Sequence, residues 1–219
     1  MLKRLTVVII FLLLCLASQA QNQVDSLETE LGRTRDARTK AHLCNSLAFE
    51  LFHYTNEQAY RYAIEGYGHA QSIGYVDGLR KALILQSFYH LGSGQYRKAL
   101  ALNRQCAAMG AEDDDLRAYN LVMTGNAYQS IAQYDSAELC YKAAIEVQSA
   151  TGSESYLPYA YKNMGRLYRV QWKNSEALEV LNRALDLYKK NNSRWGMGDI
   201  WFAISEIYVN QGDFVQART

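Results

Sequence analysis

Residues 125–137 read GNAYQSIAQYDSA, and residues 165–177 read GRLYRVQWKNSEA. Glycine, tyrosine and alanine fall at the same three offsets in both. The spacing extends along the chain: small residues recur at Ala48, Ser87, Gly125, Gly165 and Ser205. Twelve residues after the anchors come Ala99, Ala137, Ala177 and Ala217, with Ala59 one residue early in the first copy. Seven residues further on stand Gly66, Cys106, Ala144 and Ala184. A period this long is the mark of a repeat array, in which each unit buries its apolar face only against a neighbour.

Each copy reads as two helices. Three residues after the anchor come Leu51, His90, Tyr128, Tyr168 and Tyr208, on the anchor's own helix face. Short polar breaks follow, such as GSGQY from 92, AQYDS from 132 and WKNSE from 172. The second helix of each pair ends near Gly74, Gly110, Gly152 or Asn191-Asn192, residue types that accept the left-handed backbone beyond a helix C-terminus. Small residues therefore mark the places where paired helices cross, and tyrosines fill the space beside them. Glu138, next to Ala137, is read as a surface position.

This pattern resembles the tetratricopeptide repeat (TPR), with residues 118–147 matching best through Gly125, Tyr128, Tyr134, Ala137, Tyr141 and Ala144. The resemblance implies an all-α fold, an α-α superhelix or TPR solenoid of stacked antiparallel helix pairs. About five repeats are expected over 41–219, at 41–75, 80–110, 118–151, 158–191 and an incomplete 198–219. Two departures stand out. The spacing of 38 to 40 exceeds the usual 34 of such repeats, and Ala63, Asn103 and Leu181 replace an aromatic of the second helix. Residues 21–40 are expected to form a leading helix that caps the array, with Leu27 and Leu31 at helical spacing behind a cap at Asp25.

The first twenty residues differ in kind. Lys3 and Arg4 precede an apolar run from Leu5 to Leu16, and Ser18 and Ala20 fit a small-residue cleavage site, so residues 1–20 read as a secretory signal peptide. The run is short of the roughly 20 residues a membrane-spanning helix needs. Leu14 before Cys15 argues against a lipid anchor. The expected localisation is exported, periplasmic or extracytoplasmic. Without Lys3 and Arg4 the formal charge falls from +1 to −1, leaving no basic field for nucleic acid.

Catalytic and metal signals are sparse. His42, His53, His69 and His90 form no H-x-x-x-H pair, no C-x-x-C is present, and Cys44 and Cys106 fall at packed positions, so no metal and no cofactor is expected. Cys140 has no place in the pattern. GSG at 92 and GMG at 196 read as breakers rather than phosphate loops. The run EDDD at 112–115 lacks the alternating pattern of a calcium loop and reads as a helix start before Leu116, and Pro158 as a first-turn residue.

In proteins of the resembled family one face of the first helices lines a concave groove. The resemblance places Ile84, Phe88 and Leu91 there in the second copy, and Val122, Asn126 and Gln129 in the third. In the fourth it places Tyr159, Lys162, Arg166 and Arg169, and in the fifth Asp199, Phe202, Glu206 and Val209. The candidate ligand-binding residues are Ile84, Phe88, Leu91, Asn126, Lys162, Arg166 and Arg169, with Asn126 and Lys162 similar to a peptide-carboxylate clamp of the family. The competing assignment pairs Arg166 and Arg169 with Asp199 or Glu206 on the next helix, as surface bridges of little value. The expected function is an exported, non-enzymatic scaffold that binds a protein or peptide. The alternative is an extracytoplasmic sensor segment of a membrane signalling protein, a histidine kinase or helix-turn-helix regulator, whose C-terminal part lies beyond Thr219.

Overall fold

The computed structural model describes residues 22–52, 56–110 and 113–218. The expected leader and His53 lie outside these residues. Ten α-helices follow one another among the described residues: α1 (residues 22–33), α2 (Ala37–Leu51), α3 (Asn56–Ser72), α4 (Val76–Gly92), α5 (Tyr96–Ala108), α6 (Asp114–Ser130), α7 (Tyr134–Thr151), α8 (Leu157–Val170), α9 (Asn174–Lys190) and α10 (Arg194–Asn210). A 3-10 turn, Gln216–Arg218, closes the described chain. No strand occurs among the described residues, so the fold is all-α. None of the described helices is long and apolar enough to cross a membrane.

The chain divides into two compact units, up to Tyr89 and from His90 onward. In the first, α2 and α3 pack together, and their short connection makes them antiparallel. Leu47, Ala48, Leu51, Ala59, Ala63 and Leu85 form the core, and α1 lays Val24, Leu27 and Leu31 on it. Tyr62 donates to Glu28 (2.8 Å), pinning α1 to α3. Asp25 does not cap a helix; it lies inside α1. Asp36 is the cap that starts α2, its carboxylate accepting from the Thr39 backbone N–H (2.7 Å), so α2 begins four residues earlier than the repeat spacing suggests.

In the second unit the pairs α6–α7 and α8–α9 are each packed together, and the first helices α6, α8 and α10 also touch in succession. Ala99, Ala137, Ala144, Ala177 and Ala184 are fully buried. Glycine is required where crossing is tightest. A Cβ on Gly125 would stand 2.5 Å from the Tyr141 ring, and one on Gly165 2.6 Å from Leu181 Cγ. GMG at 196 is not a breaker: Gly196 sits in the first turn of α10, where a Cβ would stand 2.3 Å from the Tyr188 ring.

The turns after α4, α6, α8 and α10 repeat one hydrogen-bond pattern. Gln133 N–H donates to Tyr128 O (2.9 Å) and Ala132 N–H to Gln129 O (3.0 Å); Lys173 and Trp172 do the same to Tyr168 O and Arg169 O, both at 3.0 Å. This is the closure that puts the intervening residue in the left-handed region, φ 59° at Ala132 and 60° at Trp172, where Gly94 and Gly212 serve in their own turns.

Between α7 and α8 a polar knot replaces apolar packing. Asp115 accepts from Ser153 Oγ (2.6 Å), Gln148 Nε2 (2.7 Å) and Ser155 Oγ (2.9 Å), while the fully buried Gln148 accepts from Tyr156 N–H (2.8 Å). Burial pushes the Asp115 carboxyl up, but the hydrogen bonds from Ser153, Gln148 and Ser155 together hold it below its ordinary 3.8. A depressed carboxyl contributes stability that is complete above the unfolded value and is lost as pH falls through the folded one. Asp115→Asn is therefore expected to cost about 1 kcal/mol at neutral pH, the scale of one hydrogen bond to a partly exposed charge. The difference should shrink as pH falls below the ordinary aspartate range. Urea titrations of both proteins at neutral and acid pH check this, and an equal gap at both would refute it.

Candidate functional site

α6 and α8 lie side by side, and a cleft of about 360 Å³ opens over them. Asn126, Gln129 and Ser130 line it from α6, Tyr134 from the start of α7, and Asn163, Arg166, Arg169 and Val170 from α8. A larger cleft of about 430 Å³, lined by Leu178, Trp201, Phe202 and Tyr208 among others, has no charged group in its wall. The smaller one is the candidate site because charge and hydrogen-bonding groups converge there.

The floor is set by Tyr141, which is fully buried and reaches Asn126 Oδ1 (2.8 Å) and Gln129 Oε1 (2.9 Å) with its hydroxyl. A phenol carries one proton, which the two amide oxygens share as acceptors. Burial pushes the Tyr141 hydroxyl well above its ordinary range, an effect Arg166 opposes, so it stays protonated. Both amides are thereby fixed in position.

The three cations of α8 have different fates. Lys162 pairs with Asp199 of α10 (2.9 Å) and lies over the Tyr159 ring, 5.5 Å from its centroid. Arg169 Nη1 reaches Glu206 of α10 at 3.4 Å, so both bridges span 37 residues in sequence, three fewer than the 40 between the Gly165 and Ser205 anchors. Its Nε is buried and has no hydrogen-bond partner among the described residues. Arg166 is exposed and has no ion-pair partner among the described residues. The pairing alternative thus holds for Arg169, extends to Lys162, and fails for Arg166. An unpaired guanidinium presents five donors in a planar fork, the geometry that takes a carboxylate through two parallel hydrogen bonds.

Of the seven candidates, Asn126, Arg166 and Arg169 share this cleft. Lys162 does not line it, being held by Asp199 and Tyr159. Leu91 packs toward Ala99, Leu100 and Ala127. In the first unit, Phe88 is partly exposed with its ring edge-on to Phe52 at 4.7 Å. Ile84 is fully buried and cannot line an open surface. Its assignment fails because α4 is apolar around much of its circumference, with Ala82, Leu83, Ile84 and Leu85 all buried, so helical register alone does not pick out the open face. Tyr134 and Asn163 were missed: Tyr134 counted as a packing position of the repeat, and Asn163 lies off the groove positions of α8.

Sequence reasoning also missed a cluster in the first unit. Cys44 on α2 and Glu65 and His69 on α3 bring a sulfur, a carboxylate oxygen and an imidazole nitrogen within 4.8 Å of one another. The legible part was the Glu65-to-His69 spacing, one helical turn; Cys44 joins only through pairing of the two helices.

Solved structures share the fold at low identity. BtubC (BKLC) from P. vanneervenii is 18% identical with a TM-score of 0.65, over 92% of this chain and 85% of that one. A Rap protein complexed with Competence and Sporulation Factor is 13% identical with a TM-score of 0.72, over 92% of this chain and 68% of that one. The apo form of the quorum sensor NprR from B. thuringiensis is 14% identical with a TM-score of 0.64, over 93% and 70%. No curated protein matches the sequence. A family model described as the SusR N-terminal TPR domain matches residues 16–218. With that match spanning helix pairs whose buried small residues and turn geometry keep one period, the chain belongs to the family of SusR N-terminal TPR domains.

Proposed function

We propose that the chain is an exported, non-catalytic TPR scaffold that binds a peptide or protein segment bearing a carboxylate in the α6–α8 cleft. The observation that carries this is Arg166: it has no ion-pair partner among the described residues and stands in a cleft with fixed amides at Asn126 and Gln129, whereas Lys162 and Arg169 are engaged by α10. No carboxylate and no imidazole lines the cleft among the described residues, so Ser130 and Tyr134 have no general base beside them, and binding is the chemistry this set supports. The solved Rap protein of the same fold, complexed with Competence and Sporulation Factor, makes a binding role a natural one for this architecture. Matched peptide libraries with free and amidated C-termini, titrated against the purified chain, test the reading. A preference for free acids is expected, and equal binding of both sets would remove its basis.

A second reading, an extracytoplasmic sensor segment with an output domain following it, draws on the family description, which places this domain at the N-terminus of SusR. An apolar segment of about 20 residues in the continuing reading frame, together with a mature N-terminus at Gln21, would support it.

A further inference from the structure

We infer that Cys44, Glu65 and His69 form a binding site for a zinc-like divalent cation that ties α2 to α3. Glu65 and His69 stand one turn apart on α3, so both side chains project from the same face, with His69 Nε2 3.5 Å from Glu65 Oε1. Cys44 comes from the partner helix, where the two backbones approach closely. Gly66, next to Glu65, packs so tightly on α2 that a Cβ there would stand 3.1 Å from Cys44 Cβ and 2.8 Å from Asn45 Oδ1. The three donor atoms already lie within 4.8 Å of one another. Tetrahedral zinc with one sulfur, one nitrogen and one oxygen ligand needs separations of about 3.4 to 3.8 Å, reached by moving each atom about 0.5 Å.

The charge balance suits a site that is buried at one end and open at the other. On binding, the Cys44 S–H bond breaks, its proton leaves to solvent, and the sulfur lone pair forms the metal bond. Thiolate and Glu65 carboxylate then neutralise a divalent ion, with neutral His69 as third ligand. Without an ion the thiol is protonated, pushed up to about 12 by burial and then by Glu65, with Lys40 acting in the opposite sense. Cys44 is fully buried, whereas the His69 and Glu65 side chains are 28% and 51% exposed, leaving the fourth position open to water or a ligand group.

The test titrates Co²⁺ into the reduced, chelator-stripped chain, followed by displacement with Zn²⁺. One ion per chain is expected, with a thiolate-to-cobalt charge-transfer band that Zn²⁺ abolishes and a melting temperature that rises with added Zn²⁺. His69→Gln and Glu65→Gln should each weaken binding at least about tenfold, the size that losses of outer-shell partners already reach. Both change side chains that are partly exposed, so they decide the matter even if Cys44→Ser fails to fold. Cys140→Ser should leave the band unchanged. Absence of the band, a band of equal strength in His69→Gln, or one removed by Cys140→Ser would overturn the assignment.

Discussion

Gly125→Leu is expected to destabilise the second unit by about 3 kcal/mol or more, the upper end of the range for inserting side-chain volume into a packed crossing. A Cβ at this position meets Tyr141 Cε1 at 2.5 Å, Cδ1 at 2.8 Å and Cζ at 3.0 Å before any branch of the leucine is built. The ring has nowhere to retreat: it is fully buried, and its hydroxyl is held by Asn126 and Gln129. Better helix propensity returns only about 0.8 kcal/mol, too little to change the sign. Gly198→Ala is the opposing control. That glycine is exposed on α10 with nothing within 4 Å of a built Cβ, so alanine should stabilise by about 0.5 to 1 kcal/mol. Urea unfolding of the three proteins gives the comparison, and two changes of the same sign would mean that the crossing at Gly125 is misplaced. Glu138→Gln is a poor neutral reference, because Glu138 accepts from Tyr168 (3.0 Å) and pairs with Lys142 (2.7 Å).

The repeat was legible because close helix crossings impose a steric rule on single positions. Gly125 and Gly165 recur for the same reason, and so do the buried alanines that follow them. The left-handed backbone beyond the second helices was legible too: Gly74, Gly110, Gly152 and Asn192 all have positive φ. At Ala132 and Trp172 it was not, because there a repeated backbone hydrogen-bond pattern, rather than side-chain preference, imposes the conformation. Asn103 shows another limit. It takes the place of a packed aromatic and is buried, yet neither its Oδ1 nor its Nδ2 has a hydrogen-bond partner among the described residues. A spacing argument can find that position but says nothing of how its polar atoms are accommodated.

The candidate site was legible as a cationic helix face and illegible as a charge balance. Periodicity puts Lys162, Arg166 and Arg169 on one side of α8, and a spacing of four and three residues says nothing about which of them meets an acid 37 residues later. Only the packing of α10 against α8 settles that, leaving Arg166 as the group with charge to spare. Ile84 illustrates the same limit in reverse. It has the right register and the wrong burial.

Arg166→Glu is expected to weaken binding of a free-acid peptide by about ten- to a hundredfold, since a charge-assisted hydrogen bond contributes roughly 1.5 to 3 kcal/mol and the new carboxylate repels the ligand. Its salt dependence should flatten as well, because the charge that steers an anionic partner is gone. Arg166→Lys keeps the charge and loses the planar fork, so it should retain the salt slope with an intermediate affinity. Fold stability should change little in either variant, Arg166 being exposed and without an ion pair to lose among the described residues. Arg169→Gln is the contrasting case. It breaks the 3.4 Å contact with Glu206, so it should lower stability, but by less than about 1 kcal/mol, as half-exposed bridges do. Titrations at low and high salt, paired with thermal melts of each variant, separate the two roles. Should Arg166→Glu leave affinity intact and lower the melting temperature instead, the arginine supports the helix array and the ligand binds elsewhere.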